Sequence, residues 1–316
     1  MASAAMLLFA ASCTKEGVFN PKEKIVKISE MEINSSTMSF DGTSTTTTDT
    51  TPKHVTQEWK WDGKLLTTIT NYYLEHNQLT DTYTSVVSSV MTLTYDGKQL
   101  IKVADATGKD YTEYTYDGSK LVKMTSYEDG ELFSTAEITH DGKKIATVVI
   151  TFNGDYGKKA SDVTRFAMST IMPTKSVLDK VCAPKATKDG ASTTQTLTFT
   201  YDGKNVTKID VAYKYGEETD NITLEYTFDK NKNPFCGLFA SIGEDGFSAL
   251  NENNILTEKQ TYTYVDDGRT QSEISTDTYE YEYDGKFPTS VTTTNIYGGS
   301  TYSQKTVHTT YYEYAE

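Results

Sequence analysis

Tyr95-Asp96-Gly97-Lys98-Gln99-Leu100-Ile101-Lys102-Val103 is the stretch that decides the fold, because variants of it recur along the chain. Tyr116–Met124 (YDGSKLVKM) and Tyr201–Ile209 (YDGKNVTKI) repeat it almost throughout, and Trp61–Lys64, His140–Lys143 and Tyr283–Lys286 repeat its head. Asp-Gly suits a two-residue type I′ hairpin turn, where both central residues need positive φ; Gly adopts this freely and Asp better than most. Asp62-Gly63, Asp96-Gly97, Asp117-Gly118, Asp141-Gly142, Asp202-Gly203 and Asp284-Gly285 are therefore the expected turn formers. Each is flanked by Thr-, Tyr-, Val- and Ile-rich segments, so the unit reads as strand, tight turn, strand.

A turn pairing Tyr95 with Lys98 and Leu93 with Leu100 puts Leu93, Tyr95 and Leu100 on one face. Thr92, Thr94, Gln99 and Ile101 then share the other. The same two-residue aromatic spacing recurs at Trp59/Trp61, Tyr226/Phe228, Tyr262/Tyr264, Tyr281/Tyr283 and Tyr312/Tyr314. An aromatic and aliphatic stripe opposite a threonine stripe is what an antiparallel sheet with one covered side requires. The expected fold is all-β, an antiparallel meander of repeated β-hairpins forming a twisted sheet, either open or folded over into two layers.

Residues 24–34 read as the first strand, and the Ser/Thr-rich stretch 35–52 as a solvated loop. Two segments interrupt the hairpins. Residues 155–191 contain Ser161–Val181, whose apolar spacing can hold a helix split at Pro173. Residues 233–254 carry Phe235, Leu238, Phe239, Phe247 and Leu250 without alternation and read as a connection that folds back to plug one end of the sheet. Repeat spacing is irregular, which disfavours a solenoid of fixed period.

Hydrophobic content is only 36%, but 23 Tyr and 12 Phe offset this because an aromatic ring buries a large area. Net charge is −14, from 44 acidic and 30 basic residues. Such a surface repels phosphate backbones, which excludes nucleic acid as an expected partner.

The opening MASAAMLLFAASC is too short in its apolar run to span a bilayer and has the length of a signal-peptide core. Small residues directly before Cys13 resemble the lipobox of bacterial lipoproteins, which implies a signal peptide over 1–12, an acylated Cys13 and a polar tether over 13–23 ahead of one domain over 24–316. An ordinary secretory signal with an incidental Cys13 is the alternative. Cys182 and Cys236 could pair in an exported protein, although separate buried thiols suit two cysteines in a chain of this size better.

The YDG units resemble a shortened tyrosine-aspartate (YD/RHS-type) repeat. Phe228–Gly237 (FDKNKNPFCG), followed by Asn251–Asn254, resembles a stretch of Bacteroides-type surface lipoproteins built from such hairpins. The resemblance implies a hairpin fold, a lipid anchor and an outer-membrane, cell-surface location, and carries no chemistry. Asp49-Thr50-Thr51 resembles a short O-glycosylation sequon of such exported proteins, placing Thr50 as a candidate acceptor; a plain polar loop is the alternative.

Catalytic signatures are missing from the sequence. His54, His76, His140 and His308 have no metal-ligand spacing, and His140 sits where other repeats have Tyr, as a structural aromatic would. Asp229–Asn233 opens like a calcium loop, but Pro234 and Ala240 occupy positions that need Gly and Glu. Glu280 and Glu282 alternate with Tyr279, Tyr281 and Tyr283 and read as a solvated face opposite the core. No metal and no cofactor are expected. Trp59, Trp61, Tyr72, Tyr73, Tyr311 and Tyr312 are the candidate stacking residues for a ligand, with sheet packing as the alternative. The expected function is a membrane-anchored, non-enzymatic module binding a ligand, with a glycan first. A structural or protein-interaction scaffold comes next and a carboxylate-dependent hydrolase last.

Overall fold

The computed structural model describes residues 24–40, 43–77, 79–153, 160–169, 171, 178, 182, 193–215, 218–236, 250–266, 269–298 and 302–315. These form sixteen strands and one helix. The first half of the sheet is β1 (Ile25–Phe40), β2 (Thr43–Asp62), β3 (Leu65–Asn77), β4 (Thr82–Asp96), β5 (Gln99–Asp105), β6 (Tyr111–Asp117), β7 (Lys120–Glu128), β8 (Glu131–Asp141) and β9 (Lys144–Phe152). Helix α1 (Asp162–Ser169) follows. The rest is β10 (Thr193–Asp202), β11 (Asn205–Tyr215), β12 (Glu218–Lys232), β13 (Asn253–Asp266), β14 (Arg269–Asp284), β15 (Phe287–Gly298) and β16 (Tyr302–Tyr314).

Each strand pairs antiparallel with its sequence neighbours, and β16 pairs with β1 (Ile28 opposite Tyr312, Glu32 opposite His308), so the meander is a closed barrel. This corrects the open or two-layered sheet expected above. Closure satisfies the backbone groups that two free edges would expose. In an up-and-down barrel every connection from an even to an odd strand returns to the same end. All six Asp-Gly corners therefore collect on one rim, the corner rim, together with the β12–β13 connection and the ends of β1 and β16.

The corners differ in detail from the expected I′ turns. Asp96 pairs with Gln99, so Gly97 and Lys98 are the central residues, and positive φ is confined to the glycine (+58° at Gly97). One positive φ, at the first central position, is the type II′ pattern. Register slips immediately afterwards: Tyr95 faces Leu100 but Thr94 faces Lys102, leaving Ile101 as a bulge. The same slip occurs at all six corners.

The bulge lets positions three and six past the glycine both turn inward: Leu66 and Ile69, Leu100 and Val103, Leu121 and Met124, Ile145 and Val148, Val206 and Ile209, Pro288 and Val291. Each such aliphatic burial is worth about 1.5–3 kcal/mol. Where the bulged residue is threonine, its hydroxyl donates to a carbonyl across the corner, Thr67 to Lys60 (3.1 Å), Thr207 to Thr200 (3.4 Å) and Thr289 to Glu282 (3.3 Å).

The aromatic before each Asp-Gly has a second task. Tyr95 OH donates to the Leu66 carbonyl and Tyr116 OH to that of Leu100, each at 2.8 Å. His140 donates through Nε2 to Leu121 at 2.8 Å, so it replaces tyrosine as a structural donor. Trp61 Nε1 to Ile25 (2.8 Å) and Tyr314 OH to Pro288 (2.7 Å) continue these clasps past the β1–β16 seam.

The Ser/Thr-rich stretch expected to be a loop is strand in both β1 and β2. Threonine is β-branched and favours strands, and cross-strand hydroxyl pairs join Ser35 to Thr48 (3.2 Å) and Thr37 to Thr46 (2.9 Å). Strand lengths make the barrel lopsided. β5 and β6 have 7 residues each, whereas β1 has 16 and β2 has 20. At about 3.3 Å per residue the wall runs from about 23 Å at β5 and β6 to about 53 Å at β1 and about 66 Å at β2.

Helix α1 covers the short side. Ser161 caps it by accepting from Thr164 N (3.3 Å), and Val163, Phe166, Ala167 and Met168 are buried, with the helix lying against β5–β7. Ser161 N donates to Glu128 (2.7 Å) and Ser89 to Asp162 (2.6 Å), which fix its position. The helix lies within the expected Ser161–Val181; Pro173 lies outside the described residues.

The β12–β13 connection is anchored by amides. Val206 N donates to Asn251 (2.7 Å), Glu252 N to Asn205 (2.9 Å), Asn253 Nδ2 to the Asn231 carbonyl (2.8 Å) and Phe235 N to Asn233 (2.9 Å). Phe235 is thereby held fully buried between Trp59 (ring centroids 6.1 Å apart) and Tyr312 (5.8 Å). Phe235 thus reaches into the barrel interior beside the corner rim. Residues 237–249 lie outside the described set.

The outer face carries many hydroxyls and charges, interrupted by apolar side chains such as Ile274 (65% exposed) and Val87 (51%). Thr194, Thr196, Thr198 and Thr200 line it on β10, Glu137 and Thr139 on β8, and Thr257, Lys259, Thr261 and Thr263 on β13. Lys102–Glu113 (3.8 Å), Lys259–Glu225 (3.2 Å) and Lys208–Asp210 (2.8 Å) pair across it. Glu280 and Glu282 are exposed there, opposite buried Tyr279, as the alternation anticipated.

Candidate functional site

Followed from the corner rim upward, the inner face of the tall wall changes character. On β14 the inward positions run Tyr283, Tyr281, Tyr279, then Asp277, Ser275 and Glu273. On β16 they run Tyr314, Tyr312, then Thr310, His308 and Thr306, and on β1 Ile28, then Glu30, Glu32 and Asn34. On β12 Tyr226, Leu224 and Ile222 give way to Asp220. The lower interior is an apolar core and the upper interior is a cup rich in carboxylates.

Local pairing sets this geometry. His308 lies with Nε2 3.7 Å from Glu30 and Nδ1 3.6 Å from Glu32. Thr56 donates to Glu30 (3.3 Å), Asn34 to Glu32 (2.5 Å) and Thr306 to Asn34 (2.7 Å). Asn295 donates to Asp277 (3.0 Å). Further round, Tyr262 OH donates to Asp220 (2.7 Å) and Tyr264 OH to Glu273 (3.2 Å), with the two rings stacked at 5.1 Å and 24°. Tyr213 sits opposite Asp220. Burial raises its hydroxyl pKa well above the ordinary tyrosine value, with Tyr262 and Asp220 adding to the effect. Among the described residues no group of three or more His, Cys, Asp or Glu is placed to hold a metal ion.

The six aromatics singled out from sequence do not form one platform. Trp59 and Tyr312 are buried on Phe235. Trp61 packs beside Trp59 (6.2 Å) on the corner rim. Tyr72 points outward and donates to Glu58 (2.9 Å), which raises its pKa. Tyr73, 49% exposed, lies on the opposite face of β3. Tyr311 is on the outer face under the Lys53 ammonium (4.0 Å). Thr50 is an exposed residue of β2 opposite Ile33. Cys13 lies outside the described residues; Cys182 is buried and Cys236 half-buried.

Asp229, first residue of the apparent calcium loop, is occupied by protein donors. Its Oδ1 accepts from Asn231 N (3.0 Å) and Asn254 N (3.1 Å), and its Oδ2 from Asn254 Nδ2 (3.1 Å) and Tyr283 OH. Burial, and then this carboxylate, push the Tyr283 pKa up to about 12. The cup residues Glu30, Glu32, Tyr213, Asp220, Glu273, Asp277 and His308 went unread as a site. One signal was present: the inward alternation in β14 changes from tyrosine to acid at Asp277.

No protein-family model matches the chain, and no curated protein matches it. Among solved structures it is similar to a porin-like protein from Bacteroides uniformis ATCC 8492, with a TM-score of 0.47 and 13% identity over 90% of this chain and 97% of that one. It is also similar to a porin-like protein from Bacteroides vulgatus ATCC 8482, with a TM-score of 0.42 and 10% identity over 93% and 99% of the two chains. At these scores the likeness carries nothing about function.

Proposed function

We propose that this chain is an exported, non-enzymatic ligand-binding barrel, tethered to the outer membrane through acylated Cys13 and standing in water at the cell surface. The observation that carries the reading is the distribution of polarity: an outer face rich in Thr, Lys and Glu with scattered apolar residues, an apolar lower interior, and an acidic, tyrosine-bearing cup above. A transmembrane barrel requires the reverse outside, an apolar band between aromatic girdles. Lys102, Lys208 and Lys259 would each cost up to about 2–4 kcal/mol on a lipid-facing surface. A bilayer-spanning pore is therefore disfavoured.

A glycan is the ligand class the cup supports best, because carboxylates and tyrosine hydroxyls match sugar hydroxyls and tyrosine rings match sugar faces. Retardation in polysaccharide affinity gels tests this, and absence of retardation across neutral polysaccharides counts against it. Metabolic labelling with palmitate, lost in Cys13→Ala, tests the anchor. Exposed Thr50 is accessible to glycosylation, which mass measurement of the exported protein checks. A scaffold role is the second reading. It is favoured by the β1–β2 hairpin, whose residues Thr43–Thr50 are exposed on both faces.

A further inference from the structure

Closure of the barrel removes sheet edges only where neighbouring strands are equally tall, and β4 outgrows β5. On its β3 side β4 is paired up to Thr82 (opposite Asn77), but on its β5 side pairing stops at Met91 (opposite Asp105). Among the described residues no strand continues the sheet beside residues 82–90. They form a free edge about 30 Å long, along which every second residue turns its N–H and C=O to water.

The other upper edges are guarded. β2 beyond its pairing with β3 carries Asp49, Pro52, Lys53 and His54, and β14 beyond its pairing with β15 carries Arg269, Glu273 and Asp277. Charge and proline on an edge discourage strand addition. Residues 82–90 (TYTSVVSSV) have no charge, no proline and no glycine, the composition that pairs readily with another strand.

The side chains say which strand. Tyr83, Ser85 and Val87 lie opposite His76, Leu74 and Tyr72 and share the outer face with Tyr72, leaving Thr84 and Val86 on the inner face. Tyr83 and Val87 are both exposed. A two-fold axis through Ser85 sets Tyr83 against Val87 of a second copy, both outward, and Thr84 against its Val86, both inward. Aromatic and β-branched cross-strand pairs of this kind are favourable. Such an axis also brings like residues together, so in a chain of net charge −14 only an uncharged stretch can lie on it without repulsion. Ser88 is a bulge, because Asn71 faces Ser89 while Tyr72 faces Val87. The flat segment therefore ends where the last pair, Thr82 with Ser88 of the second copy, is reached. In this register Thr80 of the second copy comes level with Val90, just short of Asp105, so each hairpin tip stops before the other barrel's short wall.

We propose that the β4 edge is a dimerisation surface, on which two copies of this chain join their β3–β4 hairpins antiparallel about Ser85. This goes beyond the ligand-binding reading and does not depend on it. The test uses the full chain carrying Cys13→Ala, by sedimentation equilibrium from about 1 to 100 µM, the range that suits a single strand pair. The expected mass rises from one chain of 35.2 kDa towards two. Ser85→Lys, which sets two ammonium groups opposite each other at an exposed position, should weaken dimerisation about tenfold or more with the β-sheet spectrum unchanged. Ser85→Cys should crosslink to a dimer on mild oxidation, because directly opposite residues lie within disulfide reach. Val87→Cys should not, because two copies of residue 87 are about 13 Å apart in this register. The parent, which retains Cys182 and Cys236, is the control for both.

A parent that stays monomeric at 100 µM overturns the proposal. So does a dimer that Ser85→Lys leaves intact, or one in which Ser85→Cys crosslinks no better than Val87→Cys. A monomeric parent that binds a fluorescent peptide of residues 82–90 assigns the edge to a foreign strand and overturns the second copy as its occupant.

Discussion

Tyr116→Phe isolates one clasp of the corner rim. The substitution keeps the ring, which packs on the core, and deletes only the hydroxyl that donates to the Leu100 carbonyl at 2.8 Å. A net hydrogen bond is worth about 0.5–1.5 kcal/mol, and a carbonyl left unsatisfied in a half-buried place adds to the loss. The expected destabilisation is about 1–2 kcal/mol, which in a barrel of this size lowers the thermal midpoint by about 2–4 °C. Urea titration followed by tyrosine fluorescence and far-UV circular dichroism reads it as a lower midpoint at unchanged slope. The equivalent Tyr95→Phe removes the bond to Leu66 and should cost a similar amount. Tyr73→Phe, whose ring is half exposed, should cost less than about 0.5 kcal/mol. If Tyr116→Phe and Tyr73→Phe prove equally harmless, the clasps do not stabilise the corners and the reasoning fails.

Gly97→Ala meets no atom within 4 Å of the new Cβ, so its cost is purely the positive φ of +58°, about 1 kcal/mol, and Gly97→Asn should cost less; urea midpoints of the pair check the order. Phe235→Ala should cost about 3–5 kcal/mol by opening a cavity between Trp59 and Tyr312, seen as a lower midpoint with exposed-hydrophobe dye binding. The Lys232 hydrogen bond, aided by Lys204, holds the Glu252 carboxyl below its ordinary pKa despite partial burial. A depressed folded value adds stability above the unfolded pKa that is lost as pH falls through the folded one. Glu252→Gln should therefore cost about 1 kcal/mol at pH 7 and flatten the stability profile below about pH 4.5.

The hairpins were legible because the turn and the alternation agreed in every copy. Leu93, Tyr95 and Leu100 do share the inward face, although Tyr95 pairs with Leu100 and not with Lys98. The bulge was written in the sequence as buried-type residues three apart (Leu100 and Val103, Leu121 and Met124), a spacing incompatible with unbroken alternation. Closure was not legible, since nothing in the β1 and β16 residues marks them as mutual partners before the whole sheet curls. The Thr43–Thr50 strand was hidden by composition, because polar residues on both faces remove the alternation that identifies a strand. The cup was hidden for a further reason. Asp220 and Tyr262 are 42 residues apart and meet only through strand pairing, so their shared hydrogen bond has no local signature.

The most direct measurement concerns the outer surface. The full chain carrying Cys13→Ala is purified without detergent and mixed with phospholipid vesicles, and its sedimentation and flotation are recorded. A water-facing barrel stays monodisperse in buffer, retains its β-sheet spectrum and remains below the vesicle layer. A chain that aggregates unless detergent is added, or that floats with the vesicles and makes them conduct, contradicts the assignment of the Thr/Lys/Glu face to solvent.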